Sequence, residues 1–267
     1  MKNTVYSRSQ YLSQVKKEKI RIRAVQFIVV AVFLTGWELA AKTGRIDAFI
    51  VSSPVRMVKM FIQMARSDLI THILYTVGET VIGFLIGVIM GFFIAAALWF
   101  SPFLNRVFAP FLVVLNSLPK IALGPVIIVW AGAGADAIIT MAVAISLIVT
   151  VMELSHGFNT TDTGLLTTVR SFGAEKGESF IKIVLPCNLP VLFQSMKVNI
   201  GLSLVGVIAG EFLVSKAGLG YLIVYAGQVF KMDLVMMSVV LLGVIAFGMY
   251  SAVSRLERAV KKLINHI

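Results

Sequence analysis

Residues 80–105 run for 26 positions without one charged side chain. As a helix, that stretch would rise about 39 Å, more than the roughly 30 Å of hydrocarbon in a bilayer. A second run, 234–254, is uncharged for 21 residues. Composition agrees. Hydrophobic residues make up 58% of the 267 and charged residues 14%, against about 25% charged in an ordinary globular chain, and mean hydropathy is +0.91. Too little polar surface is left to cover a water-soluble domain. A soluble enzyme, a disordered chain and a disulfide scaffold are all excluded, the last because Cys187 is the single cysteine.

Read on this scale, the chain divides into six apolar stretches: 24–41, 80–105, 107–130, 137–152, 189–214 and 234–254. The expected fold is an all-α integral membrane protein of about six transmembrane helices. The third stretch is interrupted by Asn116, Ser117, Pro119, Lys120, Gly124 and Pro125. Proline cannot donate to a helix ladder, so this span should bend. Before the first span lies a basic tail, 1–23, whose polar character and lack of a cleavage site argue against a signal peptide. Residues 42–72 form an external segment, 73–255 the core, and 256–267 a second basic tail.

The net charge is +11, which in a soluble protein would suggest nucleic acid as partner. No aromatic-interleaved basic stripe accompanies it, and no nucleic-acid binding is expected. With six spans both termini share one side. That side carries 15 Lys and Arg against seven on the other, and the excess marks the cytoplasm. In the external segment, Ser53 and Pro54 make a helix start, and Arg56, Lys59, Gln63 and Arg66 recur at helical spacing. An amphipathic helix lying on the outer face is expected.

The longest internal cytoplasmic connection is 156–188. Asp162 or Thr161 can cap a helix running to Phe172, Gly173 suits a left-handed turn, and a second short helix should follow to Val184 before Pro186 restarts the next span. Thr167, Arg170, Ser171, Gly173, Ala174 and Glu175 line this helix–Gly–helix unit. Polar faces held between two spans suit a docking element.

In this loop the chain resembles the permease subunits of bacterial ABC importers. Their cytoplasmic signature runs Glu-Ala-Ala, three residues, Gly, nine residues, Ile-x-Leu-Pro. Gly173 is followed after nine residues by Ile183, Leu185 and Pro186 at that spacing. Thr167-Thr168-Val169 stands where Glu-Ala-Ala is usual. Residues 118–134 (LPKIALGPVIIVWAGAG), 210–223 (GEFLVSKAGLGYLI) and 256–262 (LERAVKK) are similar to segments of the nitrate/sulfonate/taurine branch. The resemblance implies a type-1 importer permease fold over 73–255, with 156–188 as the loop that couples to the ATPase. It further implies an assembly of two permease copies, two ATPase subunits that hold the ATP and Mg, and an extracytoplasmic solute-binding protein. The location would be the bacterial inner membrane and the solute a small anion such as nitrate, a sulfonate, taurine or bicarbonate.

The residues fit that division of labour. The chain has no phosphate-binding G-x-x-x-x-G-K-[ST] loop, so force must come from a partner and no cofactor is expected here. A secondary transporter would need an intramembrane carboxylate relay and inverted repeats, and the sequence offers neither. Gly132 to Ala137 matches a dinucleotide fingerprint by letter, but apolar spans flank it on both sides and a tight outer turn is expected. The glycines at 83, 87 and 91, and at 206 and 210, should let helices of one chain approach closely. His72, His156 and His266 lack metal spacing, and no catalytic cluster is readable. Within spans, charge marks a pathway or a partner. Lys120 with Asn116 and Ser117 is a candidate for the translocation path. Glu211 is a further pathway candidate and should bond backbone groups near the outer gate, and Lys197 should snorkel toward the cytoplasm.

Overall fold

The computed structural model describes residues 8–264; the tail residues 1–7 and 265–267 lie outside it. The described residues form helices joined by short turns, with no strand among them. In chain order these are α1 (Arg8–Lys42), α2 (Ala48–Val51), α3 (Pro54–Ala65), α4 (Leu69–Phe100) and α5 (Pro102–Ser117). A 3-10 turn at Lys120–Leu123 leads into α6 (Gly124–Ala131) and α7 (Ala135–Asn159). The connection after α7 holds α8 (Thr163–Ser171), α9 (Lys176–Ser179), a π-turn at Phe180–Val184 and α10 (Leu185–Cys187). Then come α11 (Leu189–Val214), α12 (Leu219–Gln228) and α13 (Met232–Ile264).

Among the described residues, five helices are long and apolar enough to cross a bilayer, and the bent pair α5–α6 makes a sixth if taken as one span. The bend is 86°. The Gly132–Gly134 stretch is the turn between α6 and α7, with φ of +84° and +145° at the two glycines, so the apparent dinucleotide fingerprint has no strand before it. Two spans extend beyond their apolar windows. α1 continues upstream through the basic residues to Arg8, and α4 begins at Leu69 rather than near 80. Helix hydrogen bonds do not require apolar side chains, so charge ends a membrane window without ending the helix.

The core of the bundle is α7, held between α4 and α11. Small residues make that approach. A Cβ built on Gly83 would stand 2.6 Å from the Ala142 Cβ, and one on Gly91 2.6 Å from Thr150. Gly87 meets Ser146 in the same way. From the other side, a Cβ built on Gly206 would stand 2.6 Å from the Ala142 Cα, and one on Gly210 2.9 Å from the Ile138 Cα. Both glycine stripes therefore pack within one chain. Ala142, Ile138 and Val207 are buried between them.

On the expected outer side, α3 starts as the sequence indicates: the Ser53 Oγ accepts from the Arg56 N–H at 3.4 Å and Pro54 is its first residue. α3 packs against α13, joining Met57 to a cluster with Leu69, Leu219 and Leu234. Lys197 departs from expectation. It does not reach away to water but pairs with Glu257 of α13 at 2.5 Å, with Lys261 on the same carboxylate at 2.7 Å. A half-buried ammonium facing a carboxylate has no reason to snorkel.

Candidate coupling element and translocation path

The 160–188 connection is built from local hydrogen bonds. Asp162, not Thr161, caps α8: its Oδ1 accepts from the Gly164 N–H at 2.7 Å. Thr161 instead takes a hydrogen bond from the Asn188 amide at 2.8 Å. Along α8 the hydroxyls of Thr167, Thr168 and Ser171 donate to carbonyls one turn back, and no α8 residue is buried. At its end Gly173 has φ +85°. The Gly173 N–H donates to the Arg170 carbonyl at 2.9 Å and the Ala174 N–H to Val169 at 3.3 Å. That is the Schellman pair of bonds, which wants a left-handed residue in its middle. No atom stands within 4 Å of where a Gly173 Cβ would be, so backbone conformation, not space, calls for glycine.

After this turn the chain is bolted to the bundle. The Glu175 N–H donates to Glu178 at 3.3 Å, and the Lys182 ammonium donates to the other oxygen of Glu178 at 2.9 Å. That bond holds the Glu178 carboxyl below its ordinary range, so it stays ionised as a cap. Lys176 donates to the carbonyl of Phe100 at 2.6 Å, the last residue of α4, and lies 5.8 Å above the Trp99 ring. A cation there meets the negative end of the α4 dipole. Phe180 is buried among Trp99, Phe100 and Phe158, with ring centroids 5.1–5.3 Å apart. The unit is thus a polar, exposed helix on an aromatic foot.

Its sequence-expected residues divide. Thr167, Arg170, Ser171, Gly173 and Glu175 are exposed, while Ala174, Ile183 and Leu185 are half-buried. Leu185 lines an apolar groove with Val88, Phe92 and Met196. Pro186 does not restart a span, since the helix runs through it to Cys187. The break falls at Asn188, where φ and ψ are −98° and 6°. The Asn188 amide donates to Thr161 and to the Val184 carbonyl, both at 2.8 Å. It ties the two ends of the connection together. Asn188 was not legible in the sequence as a special residue, because its partner stands 27 positions away.

At the 86° break, Lys120 and Asn116 come together: the ammonium donates to the Asn116 side-chain oxygen at 3.1 Å and to its carbonyl at 3.3 Å. Ser117 turns back into its own helix, donating to the Val113 carbonyl at 2.9 Å. No carboxylate lies within ion-pair distance of Lys120 among the described residues. Beside the break, Ile121 and Pro125 face Val205, Ile208 and Phe212 of α11 across an apolar cavity of about 500 Å³.

Glu211 does not join that group. Although Phe212 and Leu213 line the cavity, Glu211 turns to α4 and is 1% exposed. It accepts from the Thr76 hydroxyl at 2.6 Å and from the Gly220 N–H at 2.5 Å. Thr76 in turn accepts from the Leu219 N–H at 2.8 Å, and His72 Nδ1 accepts from the Gly218 N–H at 3.0 Å. A side chain at Gly218 or Gly220 would collide with the Glu211 carboxyl group. One buried carboxyl therefore folds the 215–220 turn onto α4, and Glu79 is buried nearby. The backbone bonding was expected; the membership of Thr76, His72 and Glu79 was not, since the span was read as starting at 80.

An all-α bundle with a broken span and a footed, exposed helix between two spans has the architecture of a type-1 ABC importer permease. Residues 83–264 match the family described as binding-protein-dependent transport system inner membrane component, and the chain belongs to that family. It is 27% identical over 242 residues to a probable ABC transporter permease of Haemophilus influenzae, covering 88% of this chain and 96% of that one. It is 28% identical over 228 residues to a putative aliphatic sulfonates transport permease of Escherichia coli, covering 85% and 86%. Among solved structures it superposes on the MetNI methionine ABC transporter in inward-facing conformations. The TM-score is 0.66 at 20% identity, covering 72% of this chain and 95% of that one. The protein is a multi-pass transport subunit of an ATP-driven importer, and ATP hydrolysis belongs to a separate ATPase.

Proposed function

We propose that two copies of this chain form the translocation path for a small anion, with both termini cytoplasmic. The α8–Gly173–α9 unit receives the motion of an ATPase bound below each copy. The observation that carries this reading is mechanical. α8 exposes Thr167, Arg170 and Ser171, and Glu175 is exposed after the Gly173 turn, which is anchored by Lys176 to the end of α4 and by Phe180 to α4 and α7. A push on the exposed helix would therefore reach two membrane spans through rigid contacts rather than through a loose loop. Gly173, Ala174 and the Ile183–Pro186 stretch serve as its frame.

An anion is favoured by Lys120. Its ammonium sits at a broken helix with a neutral amide as partner and no carboxylate to neutralise it, so its field remains available to a passing charge. The E. coli relative named for aliphatic sulfonates supports the same class. An extracytoplasmic binding protein would deliver the solute and set most of the specificity. Glu211 keeps the outer turn closed against α4 and belongs to the gate's frame rather than to the solute. Co-purification tests the assembly: an ATPase should remain stably bound to the solubilised chain, and inactivating it should abolish uptake. Uptake that persists on an ion gradient with the ATPase inactivated would overturn the reading.

A further inference from the structure

Among the described residues, two that are not glycine have positive φ: Ser52 at +61° and Phe230 at +56°. They stand 178 positions apart, and both bear on one cavity: Phe230 lines it, and Ser52 bonds to Asp233 in its wall. Phe230 closes α12 with the same pair of bonds found around Gly173. Its N–H donates to the Gly227 carbonyl at 3.3 Å and that of Lys231 to Ala226 at 2.8 Å. Glycine suits such a turn and a bulky side chain does not. Phe230 is 66% exposed, so core packing gives no reason for it. What the ring does is line a cavity of about 400 Å³ together with Phe49, Met60, Arg56, Lys231 and Asp233. That size lies within the range of small-molecule sites.

Ser52 lies outside the lining and braces Asp233 from behind. Its ψ of −168° puts it in a region used almost solely by glycine. There its fully buried hydroxyl donates to Asp233 at 2.7 Å. Asp233 also receives the Nε of Arg56 at 2.9 Å. The bonds from Arg56 to Asp233 leave from Nε, so the two terminal amino groups remain for another acceptor. Lys231 is exposed and in no ion pair among the described residues. Two cations, one carboxylate already engaged, two phenylalanine rings and flexible thioether walls define a preference: an anionic head on an apolar body of variable shape.

We propose that this cavity is a binding site for a small anion with an apolar body, an aryl or alkyl sulfonate or carboxylate, separate from the Lys120 path. Only its extracytoplasmic location rests on the orientation proposed above. Equilibrium dialysis of the detergent-solubilised full chain against benzenesulfonate tests it. Benzenesulfonate should bind and inorganic sulfate should not compete at equal concentration. Lys231→Gln, at an exposed position, should weaken binding at least fivefold. Phe230→Gly should weaken it at least tenfold while leaving the thermal midpoint unchanged or raised, because glycine relieves the backbone. Unaltered binding in both variants would overturn the site, and equal competition by sulfate would overturn the need for an apolar body. Displacement by phosphatidylglycerol added to the detergent as mixed micelles would reassign the cavity to a lipid headgroup and overturn the soluble ligand. Binding in detergent that is lost from the outside of right-side-out vesicles would overturn the location alone.

Discussion

Ala142 lies between two glycines, and the two should answer differently to the same substitution. In Gly83→Ala the new methyl would stand 2.6 Å from the Ala142 Cβ, with the next atom, the Ile139 carbonyl oxygen, at 3.5 Å. Carbon atoms prefer roughly 3.5–4.0 Å, so α4 and α7 must part by about 1 Å. Overpacking of this kind costs about 1–3 kcal/mol, offset by about 1 kcal/mol of helix propensity gained on replacing glycine. Adding Ala142→Gly removes the obstructing methyl and returns that propensity. The double variant should therefore lie within about 1 kcal/mol of the parent, a coupling of about 1–3 kcal/mol. In Gly206→Ala the obstacles are backbone: Ala142 Cα at 2.6 Å, its N at 2.9 Å and the Met141 carbonyl oxygen at 3.0 Å. Ala142→Gly leaves those atoms in position, so its effect should simply add. Unfolding in mixed micelles by titration with sodium dodecyl sulfate measures all five variants. Rescue at both glycines, or at neither, would refute the assignment of α7 as a helix gripped differently on its two faces.

Three further outcomes follow from the site. Lys120→Met should slow uptake of an anionic solute while assembly is unchanged, because no carboxylate loses its partner; an assembly defect in the purified complex would contradict this. Glu211→Ala should destabilise the fold by about 2–6 kcal/mol, since the Thr76 hydroxyl and the Gly220 N–H both lose their acceptor at about 1–3 kcal/mol each. Glu211→Gln, which keeps one acceptor, should cost less in the same micelle titration. In a Cys187→Ser background, single cysteines at 10, 176 and 262 should label only from the cytoplasmic side and one at 216 only from outside; external labelling of 176 would invert the topology.

What could be read in the sequence depended on how local its cause was. Asp162, Gly173 and Ser53 act through bonds within five residues, and each sits where its local pattern indicates. The glycine stripes were readable as helix contacts because their spacing repeats every turn, though not which helix they would face. Lys197 was misread because its partner, Glu257, is 60 residues distant and a span with one charge looks the same whether it pairs or snorkels. The Glu211 turn was half legible: a carboxyl late in a span indicated backbone bonding, but Thr76 and His72 belong to a part of α4 that precedes the apolar run. Ser52, Phe230 and Asp233 carry no sequence signal at all, since left-handed backbone at a serine or phenylalanine runs against local propensity.

The central claim is that α8 transmits ATPase motion through the turn at Gly173, and substitution of that residue measures it most directly. The Gly173→Val variant should insert and bind its ATPase, yet lose solute uptake and binding-protein-stimulated ATP hydrolysis together, because valine resists a φ of +85°. Gly173→Asn, which tolerates left-handed backbone, should retain most of both. Normal coupling in Gly173→Val would contradict the account, and so would equal loss in the asparagine and valine variants.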